Sequence, residues 1–374
     1  MPAISRQVIS AVVEAGLQAP SGDNCQPWRF GWDETCLRVF FLADRAESMY
    51  DVRSTASWVS LGAVLTNMTL ASAQLGLKPI VDLFPPGEMP GVVARMRFEA
   101  EPGAADPLAH AIPARCVNRR PYRAEPLPVR IREELQSLPA LFAGTRLSWI
   151  DTEPAKGRVA TLAARNDQIL FENRALHDGL YRWIRWTPLE VQRHRDGMPA
   201  ETLELAAFER PGIRLLGSWR WARVASGLGL TRLLPYRARA IYRRSAAIAL
   251  LSVQGDQRED FVRGGQVLER LWLTATRHDV AFQPITGTTF LLLRRRLIGG
   301  EGLSARHRRL LDRLDGELKQ AFPECVADSP IMLFRLGLAS SPSGRAPRLP
   351  LERVLDVAST APARPPHPGG GISE

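Results

Sequence analysis

Cysteine is scarce: Cys25, Cys36, Cys116 and Cys325 are the only four in 374 residues. None stands in a CxxC pair, which excludes a zinc ribbon and a thioredoxin-type dithiol and leaves the reduced thiols of a cytoplasmic protein. The six histidines show neither HExxH nor HxxxH spacing, so no metal site is expected. Long hydrophobic runs are missing as well. The longest, near Ala246 to Val253, falls far short of the roughly 20 apolar residues of a membrane helix. Glu14 stands where a secretion signal would need an apolar stretch. No GxGxxG follows a strand, and the P-loop and the GxSxG elbow are absent, which removes the usual nucleotide and hydrolase signatures. His194-Arg195-Asp196 imitates a kinase triplet but lacks its downstream Asn. Acidic residues are in deficit, 39 against 49 basic ones, for a net charge of +10. The excess is mostly arginine, in knots at Arg119-Arg120, Arg243-Arg244, Arg294 to Arg296 and Arg306 to Arg309. A basic chain suits nucleic acid, yet none of the DNA- or RNA-binding signatures is present. Solvated helix faces, with a few guanidinium groups for an anionic small molecule, account for the charge. Nucleic acid and membrane are not expected as partners.

Forty-five per cent hydrophobic residues are ample for a buried core, in one large domain or two smaller ones. Apolar residues at the 3.6 period predict a helix from Ser5 to Gln18, broken by Pro20. Ser57 to Leu75 is apolar nearly all round, which marks a buried helix, with Gly76 as its C-cap. Strands are expected over Leu37 to Leu42, Pro79 to Leu83 and Val92 to Phe98. After Pro113 the order starts again. Helices follow at Leu127 to Leu138, Arg158 to Arg185 (one or two), Gly265 to Arg277 and Leu303 to Phe322. Strands follow at Thr145 to Ile150, Ala246 to Val253 and Pro330 to Leu336. The Arg- and Trp-rich stretch from Trp186 reads as an insertion. The segment from Ser60 (SLGAVL…) resembles that from Arg263 (RGGQVL…), each leading to an extended stretch, which suggests internal duplication.

Ala19-Pro20-Ser21-Gly22-Asp23-Asn24-Cys25-Gln26-Pro27-Trp28 offers closely spaced donors and acceptors on a tight loop, fit for a planar heteroatom-rich ring or simply for a capped turn. Asn118-Arg119-Arg120-Pro121-Tyr122-Arg123 offers guanidinium forks that suit a phosphate, or a solvated basic turn. Gln283-Pro284-Ile285-Thr286-Gly287 and Arg345-Ala346-Pro347-Arg348 complete the set.

Taken together these stretches resemble the nitroreductase-like superfamily of FMN proteins, over roughly residues 5 to 355. Pro20 to Trp28 matches its Pro-Ser-x-x-Asn-x-Gln-Pro-Trp loop, which in the family lies against the flavin ring. The resemblance therefore assigns Pro20, Ser21, Asn24 and Gln26 to the cofactor. Arg119, Arg120 and Arg123 match the family's phosphate-binding Arg-Arg-Ser-x-Arg, with Pro121 in place of the serine. Pro284, Ile285, Thr286 and Gly287 match the Pro-x-x-Gly stretch whose backbone N–H groups face flavin N5. Arg345 and Arg348 match the C-terminal phosphate arginine. The loop occurs only in the first half and the other elements only in the second. That layout is similar to the fused-dimer, Acg-like branch, with one flavin site per chain.

The resemblance implies an α+β fold: a nitroreductase-like, mainly antiparallel sheet flanked by helices, internally duplicated as a pseudo-dimer. Residues 1–115 would form the first half and 116–355 the second. Residues 186–245 would be an insertion or lid bearing Trp186, Trp219 and Trp221, joined by the adjacent Trp183, and 356–374 a disordered tail. The implied function is an FMN-dependent oxidoreductase passing hydride from NAD(P)H through flavin to a small acceptor such as a nitroaromatic or quinone. The alternative is a flavin-sequestering protein with little turnover. No catalytic side chain is expected, because the flavin carries the chemistry. The chain would be a pseudo-dimeric monomer or a weak homodimer.

Overall fold

The computed structural model describes residues 4–101, 105–232 and 234–357. Two antiparallel sheets are built alike. In the first, the strands Trp28–Trp32, Leu37–Phe41, Val92–Ala100 and Leu77–Leu83 lie side by side in that order. In the second, Thr145–Ile150, Ala247–Val253, Ser329–Gly337 and Ala281–Ile285 do the same. Numbered along the chain within each half, both sheets read 1-2-4-3, and in both a 20-residue helix joins the second strand to the third. The halves differ in what fills their connections. A short turn joins the first two strands of the first sheet. In the second half the equivalent connection runs from Asp151 to Ala246 and carries helices from Ala155–Glu172 to Leu234–Arg243, so the expected insertion at 186–245 lies within it.

The 20-residue helices Thr55–Gln74 and Arg258–Arg277 cross at the centre. A Cβ on Gly62 would sit 2.0 Å from the Val262 carbonyl oxygen, and one on Gly265 would sit 1.9 Å from that of Val59. The two glycines have the same sequence offset as the two valines, so the contact is reciprocal about a local two-fold. Only glycine lets the backbones come this near. The offset is that of the two similar segments from Ser60 and Arg263.

Most expected elements are present with shifted ends. Ser5 caps Arg6–Leu17, its side chain accepting from Val8 N–H. The expected helix from Gly265 starts at Arg258, and that from Leu127 starts at Val129 after Pro128. The long stretch from Arg158 divides at Asn173, whose side chain caps the second piece, Arg174–Arg182. Ala247–Val253 and Ser329–Gly337 are buried at every position, as central strands covered on both faces must be.

Three elements depart from expectation. Trp28–Trp32 is a strand, although Arg29 and Gly31 hide its pattern. Thr286 and Gly287 are not loop but the first turn of a helix, Thr286–Ile298. The first two residues of the tail expected from 356 are strand: Leu355–Val357 pairs in parallel with Phe30, Gly31 and Trp32 as a fifth strand of the first sheet. Residues 358–374 of that expected tail lie outside the described residues.

Candidate functional site

A cavity of about 450 Å³ lies where the halves meet. Its walls come from the loop after the first helix, the chain around Arg115, the helix Ala155–Glu172, the crossed helices, the start of Thr286–Ile298 and the segment 344–348. That volume is within the roughly 300–1,000 Å³ usual for small-molecule and cofactor sites.

Pro20, Ser21 and Asn24 line it. Asp23, Asn24 and Gln26 all adopt positive φ, at 48°, 57° and 52°. Such backbone persists only when its surroundings fix it. Ser21 Oγ accepts from Gln26 N–H at 2.9 Å, leaving its own hydrogen free to donate. The Asn24 amide donates to the carbonyls of Gly197 at 3.0 Å and Pro347 at 2.9 Å, and its oxygen accepts from Arg348 at 3.0 Å. Asn24 is thus a staple between loop, insertion and C-terminal segment. Gln26 is fully buried and off the cavity wall. It donates to Arg195 O at 3.0 Å and accepts from Leu349 N–H at 2.8 Å.

The arginines divide in the same way. Arg119 and Arg345 line the cavity. Arg119 donates to Thr202 O at 3.0 Å and Arg345 to Arg115 O at 2.8 Å, which leaves each guanidinium with further N–H groups. Arg348 also lines the cavity, but its donors are spent. They go to Leu17, Gln18 and Ala19 carbonyls at the end of the first helix, to Asn24, and to Ala346 and Pro347. Burial first, and Arg115 second, bring its pKa down to about 9. Arg120 and Arg123 are away from the wall. Between them Tyr122 is the buried anchor, its ring 3.6 Å beneath the Arg335 guanidinium and its hydroxyl on Asn118 O. Arg120 turns to Glu204 at 3.1 Å and Ser343 at 2.7 Å, and Arg123 is exposed.

Pro284, Ile285, Thr286 and Gly287 line the cavity as the end of a strand and the start of the helix Thr286–Ile298. No side chain caps that start. Its first N–H groups therefore lack intrahelical partners, and the positive end of the helix dipole is there. A Cβ on Gly287 would meet Asn166 Nδ2 at 2.3 Å, so glycine is what lets Asn166 lie against the helix.

The sequence did not single out the acids. Asp23 and Asp167 both line the cavity, and burial pushes each carboxyl up to about 6. Arg119 opposes the shift at Asp23; the Asn166 amide and then Arg237 oppose it at Asp167. Tyr50, whose hydroxyl donates to Asn166 at 3.2 Å, and Tyr242 also line the space, and burial raises both phenols. Asp23 occupies a variable position of the loop motif, and Asp167 sits within a long amphipathic helix. Neither carries a sequence signal of its own. Arg115 was equally silent: buried, 4.4 Å over the Trp272 ring and 3.2 Å from Glu269, it forms the cavity floor beside Cys116.

Met198, Thr202 and Leu203 of the insertion line the wall, with Leu180 and Trp183 from just before it. Trp186, Trp219 and Trp221 do not reach it. Trp219 packs 5.2 Å from His177, Trp186 6.5 Å from Tyr181, and Trp221 faces outward. Among the described residues no group of His, Cys, Asp or Glu could hold a metal, and no helix is long and apolar enough to cross a membrane. The whole arrangement suits a planar ligand with an anionic arm. Trp272, Phe290 and Met332 give it apolar wall, Arg119, Arg345 and the helix start give it positive potential, and Asp23 and Asp167 can hold or release a proton near neutrality.

No protein-family model matches the chain. It is 26% identical over 348 residues to the uncharacterized protein MT1398 of Mycobacterium tuberculosis, covering 91% of this chain and 47% of that one, so it spans about half that relative's length. A second M. tuberculosis protein, provisionally named NAD(P)H nitroreductase Rv3131, is 26% identical over 75% of this chain and 76% of its own. A third, provisionally named NAD(P)H nitroreductase acg, is 22% identical over 95% and 97%. Among solved structures, the FMN-dependent nitroreductase NfnB of Mycobacterium smegmatis, in complex with NADPH, is 15% identical with a TM-score of 0.36, covering 67% of this chain and 97% of its own. A nitroreductase of Bacteroides fragilis with bound FMN is 11% identical with a TM-score of 0.32, covering 63% and 89%.

Proposed function

From its likeness to two M. tuberculosis proteins provisionally named NAD(P)H nitroreductases, over 75% and 95% of its length, we propose that this nitroreductase-like chain binds one FMN in the cavity between its halves and acts as an NAD(P)H oxidoreductase. The observation that carries the reading is the convergence on one cavity of a polar loop from the first half and unspent cationic donors from the second. The donor set fits the group. The uncapped helix start and the spare N–H groups of Arg119 and Arg345 suit a phosphate or the electron-rich edge of a ring. Pro20, Ser21, Pro284, Ile285, Thr286 and Gly287 take the ring, and Arg119 and Arg345 the phosphate. Asn24, Gln26 and Arg348 hold the walls in place.

Bound flavin would accept hydride from a nicotinamide and pass electrons to a small acceptor such as a nitroaromatic or a quinone. The chain's own part is to hold the ring in a screened, preorganised field and to keep Asp23 and Asp167 protonated enough to supply a proton to a reduced acceptor. Each half already meets its counterpart within one chain, which supports a pseudo-dimeric monomer with halves at 1–115 and 116–355.

Met198 of the insertion, with Leu180 and Trp183 just before it, favours a second reading. A roof over the cavity would exclude acceptors and leave a flavin-sequestering protein. The purified protein's absorption spectrum and anaerobic stopped-flow mixing with NADPH decide. A flavin spectrum that bleaches rapidly is expected for the enzyme. A persistent yellow spectrum supports sequestration, and a protein that stays colourless after incubation with FMN removes both.

A further inference from the structure

The outer face of the insertion carries a repeated pattern unconnected with the cavity. In and just before the helix Glu209–Leu216, Phe208, Pro211 and Leu215 stand at i, i+3 and i+7, and all three are exposed. In and just after the helix Trp219–Gly227, Trp221, Val224 and Leu228 repeat the spacing, again exposed. Phe208 is 84% exposed, Leu228 73% and Trp221 52%, values that no folded core explains. Positions i, i+3 and i+7 fall on one side of a helix. Arginines flank both stripes: Arg210 and Arg214 on the first, Arg220 and Arg223 on the second, all exposed. Among the described residues none of the four has an acidic partner. The second helix is tied to the fold through Ala222 and Ala225, which are buried, and through Trp219, packed on His177. The exposed side is therefore held outward by the fold.

An exposed apolar stripe alone does not say what covers it. The unpaired arginines along it do: the occupant is anionic, and it accepts large apolar side chains between its charges. Nucleic acid meets the first condition and offers little to Leu215, Val224 or Leu228. A bilayer with anionic headgroups meets both, since Trp, Phe and Leu enter the acyl boundary while arginines stay among the phosphates. We propose that these two helices form a peripheral docking face for anionic membranes. The face lies on the surface of the bilayer and spans nothing.

The test uses the full chain in vesicle cosedimentation, with phosphatidylcholine alone and with added phosphatidylglycerol. The protein is expected to sediment with the mixed vesicles, not with phosphatidylcholine alone, and to be released by high salt. Arg220→Glu with Arg223→Glu should weaken partitioning roughly tenfold or more. Trp221→Ser with Leu228→Ser should weaken it comparably at low salt, and both pairs should keep the parent melting temperature. Failure to sediment with phosphatidylglycerol vesicles, or equal binding to both lipids, overturns the proposal. So does vesicle binding that survives both double substitutions. Two further outcomes reassign the face and also overturn it. One is tight duplex-DNA binding that depends on the arginines and not on Trp221 and Leu228. The other is a dimer in sedimentation velocity that the Trp221→Ser, Leu228→Ser chain no longer forms.

Discussion

At the scale of single residues, the site separates groups that face the ligand space from groups that build it. Arg348 belongs to the builders: its guanidinium closes the first helix and reaches Asn24. Arg348→Ala would leave several buried carbonyls unsatisfied, and the expected loss of stability is about 2–4 kcal/mol by chemical denaturation of the flavin-free protein. Arg119 and Arg345 are different, because each has donors to spare. Arg119→Ala with Arg345→Ala should weaken FMN retention about tenfold or more, read by equilibrium dialysis, and leave the flavin-free melting temperature within a few degrees. A fully yellow double variant places the phosphate elsewhere. Asp23 adds a pH dependence. Its carboxyl rises from 3.8 to about 6 on folding, chiefly through burial. Between those values the unfolded chain has released the proton that the folded chain retains, so this group makes stability fall as pH rises from 4 to 6, and flat above. Asp23→Asn should therefore gain on the order of 1 kcal/mol at pH 7 and little at pH 4. Equal effects of the substitution at the two pH values would contradict the burial argument. The loop motif was legible because Ser21, Asn24 and Gln26 stand at fixed spacing. What it could not tell is that Asn24 and Gln26 spend their amides on distant backbone, since those partners, Gly197, Pro347, Arg195 and Leu349, are set by tertiary contact alone.

At the scale of elements, periodicity carried most of the fold. The helix around Leu61 to Met68 was visible because it is apolar on every side, and the strand Ala247–Val253 because it is apolar throughout. Periodicity failed where the chemistry of position overrode it. Thr286–Ile298 begins with Thr-Gly-Thr-Thr, which reads as a turn, yet its fifth residue onward is held by burial of Phe290 to Leu293. Trp28–Trp32 hides behind Arg29, which lies over the Phe40 ring at 5.0 Å. The crossing of the two central helices rests on two glycines that looked unremarkable within an imperfect repeat. Gly265→Ala would force a methyl to 1.9 Å from Val59 O, and Gly62→Ala would do the same against Val262 O at 2.0 Å. Each should cost about 1–3 kcal/mol or more by separating the helices. Because one displacement relieves both clashes, the double variant should cost clearly less than the sum of the two. Additive losses in urea denaturation would show that the two contacts do not share one interface.

At the scale of the molecule, two like sheets are sewn together by the chain's end. Past Gly337 the backbone leaves the second sheet, runs along the cavity through Arg345 and Arg348, and joins the first sheet as Leu355–Val357 beside Trp28–Trp32. On the way it buries Leu349, Val354 and Leu355 in the core of the first half. Each buried aliphatic side chain contributes roughly 1.5–3 kcal/mol, against a net stability of roughly 5–15 kcal/mol for a domain. Removing everything after Gly337 therefore takes a large share of that margin, strips the end of the first helix of Arg348 and opens one wall of the cavity. The truncated chain should lose its cooperative melting transition and its FMN binding together. A synthetic peptide covering residues 338–357 should restore both in a concentration-dependent way, because it supplies the missing strand, the missing core residues and the missing arginines to a scaffold whose other contacts remain. A truncated chain that melts cooperatively at the parent temperature would show instead that the first half stands without its partner's end, and that the cavity is not the product of the two halves joined.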